Sequence, residues 1–426
     1  MKGLVYCLML IGLCSASPAG REFATSFMQN LGNDGRDTRF LVEVTALPSS
    51  KGSTKVKVTA MGGIYEKDIS PGKTVSFKLP DSVEMTSSTK SRQTVLIEAS
   101  QDITVMSLSY KPYTADTSVV YPVEEWGTEY LIFTPSSSGR DTFKEFSITN
   151  HKEPNTVEIF LQGSVRFQEK YYRRGSKMTM TLQPFETVQI QSKDNLSGTK
   201  VVSRLPVAVS SGHSCAQKYT SCNHIYEQLL PVHSWGKEFV IAPLPYHSIF
   251  TSLHDSIFVQ ASQPTKITMN VNGKVQTYPM FAGQTLELYS HWPHAMYLTS
   301  DKGIQVLFEF NGGSADILEY FDPFLMTILP TKHFSTSYTV QGQSNFYNSV
   351  IVVARNEDVD GIKIDPKPQS ANFAWQRLEG TNFSWAEMYY DTGRNFFRYH
   401  TPSPHLVSIV MEFLMLMAMD HLRLLI

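Results

Sequence analysis

The chain has 426 residues, with 37 Lys and Arg against 39 Asp and Glu, a formal net charge of −2 and only 18% charged residues. That balance offers no basic face to replace the counterions condensed on a nucleic acid, which argues against a nucleic-acid binder. The length exceeds one ordinary core, so several domains are expected. The 12% aromatic content, with Gly and Pro spread throughout, favours short strands joined by turns.

The chain opens MKGLVYCLMLIGLCSASPAG. One lysine, an apolar run from Leu4 to Leu13 and the small residues around Ala16 predict a secretory signal peptide over residues 1–16; the run is too short to span a bilayer. Cys7 and Cys14 would leave with it. A secreted, extracellular protein with two cysteines is expected.

Three segments then repeat: PVEEWGTEYLIFTP from Pro122, PVHSWGKEFVIAPL from Pro231 and PTKHFSTSYTV from Pro330, with GREFATSFMQN from Gly20 in the same slot. Within each unit the alternation of Val56 and Val58, or of Ile267, Met269 and Val271, is that of half-buried strands. Gly72, Gly175 and Gly283 fall at the same place before the last strand of the set, where a turn needs positive φ. Each unit should close with two strands joined by a tight turn, as in TVLIEASQDITVMSLSY. The expected fold class is all-β, as tandem β-sandwich-like modules in four repeats of about 75–110 residues. The boundaries expected are 17–121, 122–230, 231–329 and 330–405. No Gly/Ser-rich linker separates them, so neighbours should pack closely, with Trp126 and Trp235 as junction or core groups and sugar stacking as the alternative. The segment 406–426 reads as a divergent apolar tail, interrupted by Glu412 and Asp420 and so no stable membrane span.

The only cysteines after residue 14 lie in SGHSCAQKYTSCNHIYEQLLP. In an oxidising compartment an isolated pair forms a disulfide, here Cys215–Cys222. The alternative is a zinc site of His213, Cys215, Cys222 and His224, although one-residue spacing strains the geometry of each ligand pair. No nucleophile elbow, zinc-protease helix or phosphate loop is present, and Ser211 and Ser214 beside His213 do not by themselves make a catalytic arrangement. No catalytic residue and no cofactor are expected. Residues 291–294, HWPH, read as a surface loop, with a metal or ligand site as the alternative. EKYYRRGSK from Glu169 reads as a solvated hairpin tip, or more sharply as a contact for sulfated or sialylated glycans. Asn195 and Asn382 head glycosylation sequons; Asn195 sits in a turn, while Asn382 lies in the aromatic TNFSWAEMYY, where burial would prevent modification.

SGHSCAQKYTSCNHIYEQLLPVHSWGKEFVI, together with GREFATSFMQN, VYPVEEWGTEY and SLHDSIFVQASQPTKITMNVNG, resembles the N-terminal domain of the IgG Fc-binding protein family, over roughly residues 20–405. The resemblance implies a secreted, non-catalytic binding or structural protein of mucosal or extracellular surfaces, its ligand immunoglobulin Fc or mucin glycoproteins. It supplies no ligand-binding residue. With two cysteines outside the leader, the cysteine-dense von Willebrand type D modules that often follow this domain are not expected, so the chain reads as a stand-alone relative. A lectin-like adhesin is the alternative, and a secreted metal-dependent hydrolase using the His213, Cys215, Cys222 and His224 set is the remaining one.

Overall fold

The computed structural model describes residues 18–32, 35, 37–139, 141–218, 222–244, 254–290, 293–314, 320–335, 337–340, 347–365, 374–390, 397–400 and 407–414. The expected leader, His291 and Trp292 lie outside these. Among the described residues the regular structure is β-strand and short 3₁₀ turns, and no helix is long and apolar enough to cross a membrane.

The first repeat comprises β1 (Ala19–Thr25), β2 (Arg39–Ala46), β3 (Thr54–Ala60), β4 (Gly63–Ile69), β5 (Thr74–Leu79), the short β6 (Thr89–Ser91), β7 (Val95–Lys111) and β8 (Thr114–Val120). The long β7 organises it. Its first half pairs with β1 and β3, through Phe23↔Ile97 and Val58↔Ile97, and its second half pairs with β2 and β8, through Leu41↔Leu108 and Leu108↔Thr117. One strand therefore serves both faces of a sandwich, bending at the polar residues between Ala99 and Ile103. Two separate strands joined by a tight turn were expected here. The polar residues bend the ladder without breaking it, because pairing on either side of the bend holds each half in a strand conformation.

The second repeat has the same wiring in β9 (Gly127–Leu131), β10 (Lys144–Thr149), β11 (Asn155–Phe160), β12 (Val165–Phe167), β13 (Lys170–Tyr172), β14 (Lys177–Leu182), β15 (Thr187–Ser192), β16 (Lys200–Gln217) and β17 (Cys222–Gln228). Here β16 is the shared strand, and the hairpin β12–β13 is an insertion between the equivalents of β3 and β4. The third repeat is β18 (Gly236–Ile241), β19 (Asp255–Ala261), β20 (Thr265–Val271), β21 (Lys274–Met280), β22 (Thr285–Ser290), β23 (Met296–Phe310), the two-residue β24 (Gly313–Ser314) and β25 (Tyr320–Phe321), and β26 (Phe324–Thr327), with β23 shared. Gly72 and Gly283 behave as the repeat suggests, with φ of 68° and 78° in the turns before β5 and β22. Gly175 (φ 81°) instead precedes β14, the equivalent of β4, and the corresponding turn before β15 is made by Phe185 with φ 58°.

The fourth repeat contains β27 (Ser337–Val340), β28 (Tyr347–Arg355), β29 (Lys363–Asp365), β30 (Gln376–Arg377), β31 (Phe383–Tyr390), β32 (Phe397–His400) and β33 (Val407–Leu414). Its two sheets, β27-β32-β29 and β30-β31-β28-β33, match the two faces of the earlier units, with β32 and β33 standing where the halves of the shared strand stand elsewhere. Residues 407–414, expected to belong to a divergent tail, thus form a strand in register with β28 from Tyr347↔Leu414 to Ala354↔Val407. Residues 415–426 lie outside the described ones. Removing residues 406–426 strips one whole side of the β28 ladder, so such a truncation should destabilise this unit rather than improve solubility. Hydrogen exchange checks this: Val350 to Ala354 should lose protection selectively, and unchanged protection would show that β33 contributes nothing.

Cores run on from unit to unit. Phe258, Leu307 and Leu325 of the third repeat belong to the core of the second, and Phe334, Phe383 and Trp385 of the fourth belong to that of the third. The strands between two units are buried on both sides with a strict alternation. In β10, Phe146 and Ile148 enter their own core, while Glu145, Ser147 and Thr149, also buried, lie on the opposite face; Ser147 and Thr149 meet Ser26 of the first repeat there. In β19, Ile257, Val259 and Ala261 face inward while Phe258 and Gln260 face the second repeat.

The Pro-x-x-x-Trp-Gly motif locks the first two junctions. Trp126 and Trp235 are buried and donate their indole N–H to the carbonyls of Tyr121 and Leu230 at 3.1 Å in both cases. This satisfies the ring's one polar atom and removes both rings from any sugar-stacking role. A Cβ on Gly20, Gly127 or Gly236 would approach the Cβ of Pro122, Pro231 or Pro330 to 2.5, 2.3 and 2.1 Å. The repeat glycine is needed because the next junction's proline lies on its backbone.

Candidate functional site

A group of buried ionisable side chains lies where β8, β17 and β26 run side by side and where the disulfide hairpin closes. Cys215 and Cys222 are joined, with their Cα atoms 5.1 Å apart. They close the end of the β16–β17 hairpin next to the rungs Ala216↔Asn223 and Gln217↔Cys222. For so short a loop the chain-entropy effect is roughly 2–3 kcal/mol. Both sulfurs are used in the bond, so the alternative zinc set has no thiolates to offer. Among the described residues no group of three or more His, Cys, Asp or Glu is arranged to hold a metal.

The two histidines of that set are structural. His213 Nδ1 accepts from the Cys215 N–H at 3.1 Å, and His224 Nδ1–H donates to the His213 carbonyl at 3.2 Å. Burial pushes both imidazoles down to about 3, and the ammonium groups of Lys144 near His213 and Lys111 near His224 act the same way. Both rings are therefore neutral. His224 stacks on Tyr226 with ring centroids 5.2 Å apart, and its Nδ1 lies 3.8 Å from Oε1 of the buried Glu145. Burial holds the Glu145 carboxyl well above its usual range, against a 2.7 Å hydrogen bond from Gln191. Ser211 donates to the Phe133 carbonyl, and Ser214 Oγ accepts from the Phe143 N–H at 2.8 Å. Neither hydroxyl faces a base.

Along the seam, residues one repeat apart bond to one another. Thr114 Oγ1 accepts from the His224 N–H at 2.7 Å, Asp116 Oδ2 from the Tyr226 N–H at 2.8 Å and Ser118 Oγ from the Gln228 N–H at 2.9 Å. Glu227 bridges three units: it accepts from Ser118 Oγ at 2.8 Å and from the Thr327 N–H at 2.9 Å. Asn223 donates to the carbonyls of Ala115 and Pro323 at 2.8 and 2.9 Å. Glu309 of β23, fully buried, pairs with Lys218 at 3.0 Å across the second seam. Burial pushes the Glu227 and Glu309 carboxyls up to about 7, and Asp116 is raised by the same cause. Sequence reasoning singled out none of Asp116, Asn223, Glu227 or Glu309. Aligning YTADTSVVYPVEEWG with SCNHIYEQLLPVHSWG on the shared Pro and Trp sets Asp116 level with Ile225, next to the Tyr226 whose N–H it accepts.

Both sequon asparagines are exposed. Asn195 Oδ1 accepts from the Ser197 N–H at 2.8 Å. Asn382 is not buried as its aromatic neighbours suggest: it lies in the turn just before β31 and stays at the surface, while Phe383, the first residue of the strand, is buried.

The chain folds as a succession of β-sandwich-like units cross-bonded through buried polar seams. Residues 116–410 match the IgGFc binding protein family, and the chain belongs to it. It is 35% identical over 371 residues to the human IgGFc-binding protein, a match that covers 86% of this chain and 7% of that protein's length. Among solved structures, an arabinofuranosyltransferase from Mycobacteria is matched over 94% of this chain and 33% of its own, at 11% identity and TM-score 0.15. An ice-binding adhesin from an Antarctic bacterium is matched over 90% and 98%, at 9% identity and TM-score 0.13. Neither likeness is close enough to bear on fold or function.

Proposed function

We propose that the chain is a secreted, non-catalytic binding protein of mucosal or other extracellular surfaces, which presents tandem β-sandwich modules to a protein or glycoprotein ligand. Immunoglobulin Fc and mucin glycoproteins are the two candidate ligands. The observation that carries this reading is the family membership, with its 35% identity across most of the chain to a protein named for Fc binding. The seams support a non-catalytic role: Asp116, Glu145, His213, His224, Glu227 and Glu309 are all buried, spent on joining strands rather than lining a cleft. Glycans on the exposed Asn195 and Asn382 belong to the same reading.

The test is binding of the chain from residue 17 onward to immobilised Fc fragments, with a mucin-coated surface alongside. Saturable binding to Fc, competed by soluble Fc, is the expected result; truncations near 121, 230 and 329 would then locate the site. Binding to mucin alone would assign the protein to the mucus matrix, and binding to neither would overturn the proposal. Glycan binding is the second reading, favoured by the inserted hairpin β12–β13.

A further inference from the structure

The hairpin β12–β13 has no counterpart in the first or third unit, where β3 meets β4 and β20 meets β21 through two-residue turns. Its inner face is anchored: Val165 and Phe167 are buried in the core of the second unit. Its outer face pairs Arg166 with Tyr171 across the two strands, both exposed, Tyr171 by 62%. Directly opposite residues on one face of an antiparallel pair hold their Cβ atoms about 5 Å apart. Lys170 at the tip lies over the Tyr172 ring at 4.7 Å.

The turn that leads back to β14 adds Arg173 and Arg174, both exposed. Its backbone is held in place: Gly175 N–H donates to the Leu161 carbonyl at 2.8 Å, Arg174 N–H to Ser164 Oγ at 3.3 Å, and Ser176 N–H to the Arg173 carbonyl at 3.0 Å. None of Arg166, Lys170, Arg173 and Arg174 makes an ion pair among the described residues, whereas the neighbouring Lys177 is taken by Glu158 at 2.7 Å. The acids close by are Glu169 at the tip and Asp194, which accepts from the Ser164 N–H. Four unpaired cations in nine residues stand out in a chain whose net charge is −2.

We propose that this hairpin is a binding site for a sulfated saccharide chain. Guanidinium groups fork onto oxyanions in bidentate fashion, and the exposed Tyr171 face beside Arg166 offers an apolar platform for a sugar ring carrying such a group. A preset backbone lowers the ordering cost of engagement. The site deepens the glycoprotein arm of the proposed function. Because its probe is a purified oligosaccharide, its failure is separable from a failure to bind Fc or mucin.

The experiment measures binding of a heparin-derived decasaccharide to the full chain as a function of salt, with its desulfated form and a sialylated oligosaccharide alongside. The double variant R173E/R174E should bind roughly tenfold or more weakly at moderate salt, and its slope of log affinity against log salt should fall by about 1–2, as for other polyanions that lose cation contacts. K266E/K274E, which changes net charge equally at exposed sites of the third unit, should stay close to the parent. Tyr171→Ala should weaken binding several-fold with an unchanged salt slope, the signature of a ring contact rather than a charge. Equal losses in the two charge-reversal variants would overturn the site. Undiminished binding of the desulfated or sialylated saccharide would overturn its sulfate assignment, and an inert Tyr171→Ala would overturn the platform.

Discussion

Gly212→Ala should strongly destabilise the second unit. Gly212 sits in β16 with Glu145 of β10 on one side and Tyr226 of β17 on the other. A Cβ there would lie 1.9 Å from the Ile225 carbonyl oxygen and 2.7 Å from the Tyr226 Cα. These are backbone atoms in a hairpin tied by the Cys215–Cys222 bond and bonded in turn to β8 of the first repeat, so no flexible side chain can yield. Opening the hairpin would also pull His224, Tyr226 and Glu227 out of the seam. The cost should be roughly 3–5 kcal/mol or more, enough to reduce yield sharply and to lower the melting temperature by more than about 10 °C for a unit of this size. Thermal unfolding followed by tyrosine and tryptophan fluorescence checks this; a shift of only a few degrees would mean that β16 and β17 can separate freely.

Glu227→Gln should reverse the balance of pH effects on stability. The native Glu227 keeps its proton up to about 7, whereas the unfolded carboxyl releases it near the ordinary 4.5. The native state therefore binds the extra proton between those values, and stability from this group is full below 4.5 and lost as pH rises to 7. At about 1.4 kcal/mol per pH unit the loss is about 3 kcal/mol. Glu309 acts in the same window. His213 and His224 act oppositely: unfolded they protonate below 6.5, native only near 3, so stability falls as pH drops from 6.5 toward 3. Between 4.5 and 6.5 the carboxyls and imidazoles largely cancel. Glutamine keeps an oxygen for the Thr327 N–H and a partner for Ser118 but removes the titration. It also ends the repulsion with Asp116, which faces the same seam. In urea unfolding the variant should gain about 2–3 kcal/mol relative to the parent on going from pH 5 to pH 7. Parallel pH profiles would show that Glu227 is already ionised in the folded protein.

The strand content, the repeat and the junction motif were legible in the chain itself. Val56 and Val58 alternate with lysines because a strand with one wet face must, and the spacing of Gly20, Gly127 and Gly236 reports a local need, the proline that lies on each. The cysteine pair could be read as a bridge from compartment and count alone. The burial expected for Asn382 did not follow because the aromatic strand begins at Phe383, and Asn382 belongs to the exposed turn that enters it. The shared strands were misread as pairs because a polar stretch looks the same whether the ladder turns back or bends through it.

What the sequence determined by itself, then, was each unit: period, turns, glycines and inward-facing residues are consequences of local backbone geometry and of burying one face. Only the tertiary structure decided how the units meet. Glu145, Asp116, Glu227 and Glu309 look like ordinary solvated acids in a strand, and the alternation that marks them polar marks them exposed. They are buried because a second unit covers that face; for Asp116, Glu227 and Glu309 partners about a hundred residues away replace the water, while Glu145 bonds to Gln191 of its own unit. That choice is made by surfaces which exist only once both sandwiches have formed, as is the outward pairing of Arg166 with Tyr171 on the inserted hairpin.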